Sequence, residues 1–176
     1  MRKKRLTKMK KKEIMEKANS VLSKYNLSAT NKIDVVALAN RAGFKVGESK
    51  KMLESDDGFM VVAPAEKGKV IGVNFDRSIE DKRFIIAHEM GHFFLHRDKL
   101  ISNGAIMHRQ RKKGKGALEN EADFFAASIL MPRESFKKEY ENLKDLDYES
   151  QISTLQKIFL APRESVERRV AEVCDD

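Results

Sequence analysis

The sequence predicts a single α+β domain, mostly helical, with a small β-hairpin or sheet packed beside a buried, histidine-bearing helix. Three observations carry that prediction. Apolar residues recur at helical spacing from Lys12 to Val173, interrupted by two short β-rich runs between residues 58 and 74. The chain has 176 residues, of which 41% are hydrophobic, enough for one core. No internal repeat or low-complexity linker divides it, so residues 13–174 read as one domain behind a basic, flexible tail of residues 1–12.

In order along the chain, Lys12 to Tyr25 carries Ile14, Ala18, Val21, Leu22 and Tyr25 on one helical face. Asp34 is placed to cap a second helix that runs to Arg41, with Gly43 just beyond its end. Phe59 to Ala63 and Val70 to Asn74 are strand-like runs separated by Pro64 to Lys69, the pattern of a hairpin over residues 58–74. Arg83 to Leu95 (RFIIAHEMGHFFL) has no proline and is too long for an ordinary strand, so it is a helix, bounded at about residues 81–96. Leu118 to Met131 is a second strongly apolar helix, stopped by Pro132. Three further helices fill residues 133–173: Arg133 to Leu143, Gln151 to Phe159 and Arg163 to Val173.

The helix over 81–96 contains the segment His88-Glu89-Met90-Gly91-His92, an HExxH match. His88, Glu89, His92 and His96 fall on an arc roughly 100° wide, while Phe84, Ile85, Ile86, Ala87, Met90, Phe93, Phe94 and Leu95 make nearly all the rest apolar. Such a helix is buried, and polar groups buried with it need partners. A metal ion is one such partner. Side chains four apart on a helix stand one above the other, so the imidazoles of His88 and His92 can converge on one ion. Glu89 is displaced from that pair by one step round the helix, placed to touch a water at the fourth coordination position and to serve as general base. His96 is eight residues beyond His88, roughly 12 Å along the helix, too far to share an ion with it and therefore suited to an outer or packing role. Gly91 either permits close approach of a neighbouring strand or is merely tolerated.

A catalytic zinc site takes three protein ligands and keeps one position open. The helix over 118–131 supplies the third. Glu119 and Asp123 are four apart, and the small residues Ala122 and Ala126 on that face let this helix pack closely against the histidine helix. Glu119 is the expected ligand, with Glu121 the alternative. Asp123 is placed one turn along to accept the free ring N–H of a ligand histidine and fix its tautomer. Two imidazoles and a carboxylate suit one Zn2+ per chain, and manganese or iron also fits such a set. The oxyanion stabiliser has no unique candidate among His108, Tyr25, Tyr140 and Tyr148.

The order HEMGHFFLH, then about two dozen residues, then ENEADFFAASILMP, resembles the ImmA/IrrE family of zinc metallopeptidases. The likeness is close over both site helices. Phe93 and Phe94 stand where leucines are frequent, and Ser128-Ile129 replaces a commoner Glu-Leu pair. The resemblance implies a zincin-like fold, His88, His92 and Glu119 as metal ligands and Glu89 as the catalytic residue, and the Glu119/Asp123 pair is similar to the ExxxD helix of the wider gluzincin class. It also implies a protein substrate: relatives are bacterial or phage-encoded cytosolic proteases that cleave a helix-turn-helix transcriptional repressor, often encoded beside them, and so switch on mobile-element transfer or a response to DNA damage.

Charge and cysteine content fit a cytoplasmic protein. Cys174 is the single cysteine, so no intramolecular disulfide can form. No stretch approaches 18 apolar residues, which argues against a membrane span, and no apolar run follows the basic start as it would in a signal peptide. The net charge of +8 resides in residues 1–12, which hold Arg2, Lys3, Lys4, Arg5, Lys8, Lys10, Lys11 and Lys12 and no acid. Such a run is a solvated arm with weak attraction for nucleic acid or an acidic partner. A second basic cluster, Arg109 to Lys115, lies in what reads as a glycine-containing loop between the site helices.

The competing class is a non-catalytic DNA-binding or repressor-binding module with a structural metal. Leu38 to Gly43 resembles the first helix and turn of a helix-turn-helix, and the two last helices, joined at Leu160-Ala161-Pro162, could form another. Against the first, Gly47 stands where a recognition helix should begin and Phe44-Lys45-Val46 reads as a short strand. Against the second, a tight turn between amphipathic helices is ordinary packing.

Overall fold

The computed structural model describes residues 6–27, 31–63, 68–102, 106–110 and 116–174. Helix α1 (Lys8–Lys24) starts where the Thr7 hydroxyl accepts the Lys10 backbone N–H at 3.2 Å, and it buries Ile14, Ala18, Val21 and Leu22. It begins four residues ahead of the sequence expectation. A capping threonine and a run of lysines, which are good helix formers, make Lys8, Lys10, Lys11 and Lys12 helical rather than part of a tail. Arg2, Lys3, Lys4 and Arg5 lie outside the described residues.

Helix α2 (Val35–Arg41) is capped by Asp34, whose carboxylate accepts the Ala37 N–H at 2.9 Å. Gly43, at a φ of 90°, then turns the chain straight into strand β1 (Phe44–Ser49). No recognition helix follows, and the first helix-turn-helix reading is set aside.

Strands β2 (Asp56–Val62) and β3 (Lys69–Asn74) form the expected antiparallel hairpin, with Gly58 opposite Val73 and Val62 opposite Lys69. The sheet is larger than that hairpin. Its order is β1-β3-β2-β4, with β1 parallel to β3 from Phe44↔Lys69 to Ser49↔Asn74, and with β4 (Ile106–Gln110) antiparallel to β2. Part of the segment expected as a loop between the site helices is therefore a strand. Residues 111–115, which hold most of the second basic cluster, lie outside the described residues, as does the side chain of His108.

Helix α3 (Ile79–Ser102) runs through the centre, packed against β2, β3, α2 and helix α4 (Ala117–Leu130). The sheet sits directly on it: a Cβ built at Gly58 would lie 2.5 Å from Ile85 Cγ2. Alternate residues of β2 and β3, among them Met60, Ile71 and Val73, join Ile85, Met90, Leu38 and Phe125 in the core. Helix α1 covers α4.

Helices α5 (Arg133–Asn142), α6 (Tyr148–Phe159) and α7 (Arg163–Cys174) complete the fold around Phe136, Leu155, Phe159 and Val166, all fully buried. Two buried arginines join this group to the rest by satisfying backbone carbonyls, those of Leu160 and Met131 being ones that helix C-termini leave over. Arg83 of α3 donates to Leu160 O at 3.0 Å and Ile33 O at 2.8 Å. Arg169 of α7 donates to Met131 O, just past α4, from both Nε (3.1 Å) and Nη2 (2.9 Å). Burial lowers the pKa of both guanidinium groups. Val166 and Arg169 of α7 are buried, so the α6/α7 turn joins two helices packed into the core.

Candidate metal centre

The site is built where α3 and α4 touch. Gly91 is the reason they can approach so closely. A Cβ at that position would lie 3.1 Å from each of Ala122 Cα, Ala122 O and Phe125 Cδ1, so the small residue serves a neighbouring helix and not a strand. Ala122, which meets Gly91, and Ala126 one turn along are both fully buried. Helix α3 carries His88, Glu89, His92 and His96 inward, exposed by 1%, 1%, 2% and 7%. The helix does not continue regularly through its last turns: His96 has φ −128° and ψ 20°, which breaks it there.

His88, His92 and Glu119 come together as a group able to hold a metal ion. The two Nε2 atoms are 3.0 Å apart. His88 Nε2 is 3.2 Å from Glu119 Oε2, and His92 Nε2 is 3.1 Å from Glu119 Oε1. For a tetrahedral ion with bonds of about 2.0–2.1 Å, neighbouring ligand atoms stand roughly 3.3 Å apart. The observed triangle is within a few tenths of an ångström of that size.

The donor chemistry fits as well. His88 Nδ1 lies 2.9 Å from Asp123 Oδ1, and since a carboxylate can only accept, the proton of the neutral ring is on Nδ1 and the Nε2 lone pair faces the triangle. Lone pairs and a carboxylate converging at hydrogen-bond distance repel unless something positive lies among them. With protons in that position, hydrogen bonds from His88 and then His92 hold the Glu119 carboxyl far below the usual carboxylate range, against the opposing effect of burial. A divalent cation satisfies the same set without any ring becoming charged. The residues present therefore fit a metal ion.

Around the triangle stand polar groups from four helices. Asp123, 7% exposed, carries Arg168 of α7 on its other oxygen, with Nη1 3.6 Å from Oδ2. His96 Nδ1 is 3.3 Å from His92 Nδ1, and His96 Nε2 is 3.2 Å from Glu121 Oε2. Glu121, the alternative third ligand in the sequence reading, is thus directed to His96, while Glu119 takes the place beside both ring nitrogens. Lys10 of α1 approaches Glu121 Oε2 at 3.6 Å. Neither Arg168 nor Lys10 was legible as a neighbour of the site: each is remote in sequence from its carboxylate, and only tertiary packing brings them near. Of the tyrosines, Tyr25 and Tyr140 pack partly against the core and Tyr148 is 48% exposed at the start of α6.

A mostly helical α+β domain in which an HExxH helix meets a carboxylate from a second helix is metallopeptidase-like. The match to a known family is direct. Residues 39–171 match Peptidase_M78, the IrrE N-terminal-like domain, and the chain belongs to that family. Helix α1 lies outside the matched span. No curated protein matches the chain. Among solved structures, a Mycobacterium tuberculosis transcriptional regulator is similar in fold, with a TM-score of 0.54 at 17% identity over 88% of this chain. The similarity covers 45% of that protein, so this chain spans less than half its length.

Proposed function

We propose that the chain is a zinc-dependent endopeptidase of the cytoplasm that hydrolyses a peptide bond in a helix-turn-helix transcriptional repressor. The observation that carries the enzymatic part is the convergence of His88, His92 and Glu119 at 3.0–3.2 Å, with Glu89 on the same helix immediately beside His88. The repressor is suggested by the family resemblance, and a transcriptional regulator among the structural neighbours is in keeping with it.

In this reading His88 and His92 present Nε2 lone pairs and Glu119 a carboxylate oxygen to the ion. A Zn2+ held there supplies Lewis acidity toward the scissile carbonyl and the attacking water. Glu89 takes the proton of that water on its carboxylate and passes it to the departing amine, a single residue acting as base and then acid. Asp123 accepts the Nδ1–H of His88, which fixes the ring orientation and raises the basicity of Nε2. An extended substrate backbone is suited to strand addition at a sheet edge. The hairpin strands β2 and β3 are interior, and the edges of the described sheet are β1 and β4.

No helix among the described residues is long and apolar enough to cross a membrane. The test is incubation of the zinc-loaded chain with repressors encoded beside it, compared with Glu89→Gln. Cleavage by the parent and none by a variant that keeps its zinc supports the reading. Full biological activity of Glu89→Gln would instead establish a binding module with a structural metal.

A further inference from the structure

The polar chain on the far side of His92 has a proton arrangement that can be worked out atom by atom. For His92 to direct its Nε2 lone pair into the triangle, the proton of its neutral ring must be on Nδ1. The atom facing that N–H is His96 Nδ1, at 3.3 Å, which must then accept and leave its own proton on Nε2. His96 Nε2 is in turn 3.2 Å from Glu121 Oε2, and the carboxylate accepts it. Each of these two contacts pairs one donor with one acceptor once the His92 Nε2 lone pair is directed to the triangle, and the direction runs from the triangle outward. Lys10, 3.6 Å beyond, lends a positive charge to the carboxylate at the end. His92 and His96 are 2% and 7% exposed, so water has little access to replace these partners.

Resting on the metal-site reading above, we infer that His96 and Glu121 are positioning residues that hold His92 as its Nδ1–H tautomer through a His92–His96–Glu121 relay, the counterpart on one ligand of what Asp123 does for His88. The two ligand histidines are thus fixed by different devices, one by a direct carboxylate and one by a carboxylate acting through a second imidazole. The break of α3 at His96 belongs to the same arrangement. The side chain at this break leads to His92 on one side and to Glu121 of α4 on the other. Lys10 ties the relay to α1, an element outside the family-matched span.

The experiment uses the full chain, zinc-loaded and with its histidine rings nitrogen-labelled, to read each tautomer by NMR, together with zinc affinity by chelator competition. The expected spectrum shows His88 and His92 protonated on Nδ1 and His96 on Nε2. Glu121→Leu should weaken zinc binding by about 10–100-fold, the usual loss when a ligand's outer partner is removed. Glu121→Gln, which keeps an acceptor oxygen for the His96 N–H, should stay within about threefold of the parent, and Lys10→Met within about twofold, as expected for a half-exposed ion pair. An Nδ1–H tautomer for His96, or unchanged zinc affinity in Glu121→Leu, would overturn the relay. The tautomer measurement needs no variant and stands even where one fails to fold. A parent chain that takes up no zinc removes the site reading, and the relay with it; zinc uptake with an indifferent Glu121 removes the relay alone.

Discussion

Replacing Gly91 by alanine tests whether the α3/α4 contact sets the geometry of the site. Taken as a helix residue alone, alanine is favoured over glycine by about 1 kcal/mol. Here the added methyl would lie 3.1 Å from Ala122 Cα, Ala122 O and Phe125 Cδ1, against an ordinary contact of roughly 3.4–4 Å. Two of those three atoms are backbone of α4, and the third belongs to a fully buried ring, so no change of rotamer relieves the crowding. Overpacking of this kind costs about 1–3 kcal/mol, which outweighs the helix gain and leaves a net loss of about 1 kcal/mol, or roughly 2–4 °C in Tm for a domain of this size. The more specific effect is on the metal. Glu119 lies three residues before Ala122 on the same helix, so a shift of α4 by a few tenths of an ångström opens the 3.1 and 3.2 Å edges to His92 and His88. Zinc affinity should fall by about tenfold, since such a site tolerates displacements of only about 0.5 Å. The assay is thermal unfolding of the metal-free chain together with chelator competition. Gly47→Ala is the control, because nothing lies within 4 Å of a Cβ there, and its stability should change by less than about 0.5 kcal/mol. A Gly91→Ala chain that melts higher than the parent and binds zinc equally well would refute the reasoning.

Zinc at about a thousandfold excess over its Kd should stabilise the chain by about 4 kcal/mol, visible as a rise in Tm of roughly 8–16 °C that a chelator reverses. Phe125→Ala should cost about 3–5 kcal/mol in urea unfolding, because the ring is fully buried between α4 and α3 and its loss leaves a cavity. Asp147 caps α6 by accepting from the Ser150 hydroxyl and backbone N–H, which lowers its carboxyl pKa below the unfolded value. A depressed folded pKa gives stability that is fully present above the unfolded value and is lost as the pH falls through the folded one. The gap in urea midpoint between the parent and Asp147→Ala should therefore be largest near neutrality and close on acidification toward about pH 2. A gap that widens in acid would contradict the assignment.

Local signals were enough for much of this molecule. The helical run around His88 and His92, the Ala122/Ala126 face, the Asp34 cap and the β2/β3 hairpin are all short-range patterns, and each forms near its expected place. The parallel pairing of β1 with β3 joins residues some 25 positions apart, and no periodicity within either strand records its partner. Strand β4 was hidden for a related reason. Ile106 to Gln110 has only two aliphatic residues in a basic, glycine-containing stretch, and pairing with β2 makes it a strand where composition suggests a loop. The early start of α1 shows the converse, since a run of lysines looks like a solvated tail until a capping threonine is noticed before it. At the site, the sequence placed Glu119 and Glu121 on one helix and favoured Glu119 as the ligand, with Glu121 the alternative. The structure separates their positions, because the break at His96 and the close approach at Gly91 put Glu119 beside the ligand nitrogens and Glu121 beside His96.

The central claim is that one cation sits among His88, His92 and Glu119. Anomalous diffraction at the zinc edge from crystals of the zinc-loaded chain tests it most directly. A single peak about 2.0–2.2 Å from both Nε2 atoms and a Glu119 oxygen is the predicted result. Zinc bound elsewhere, or bound with Glu119 turned away from the two imidazoles, would contradict it.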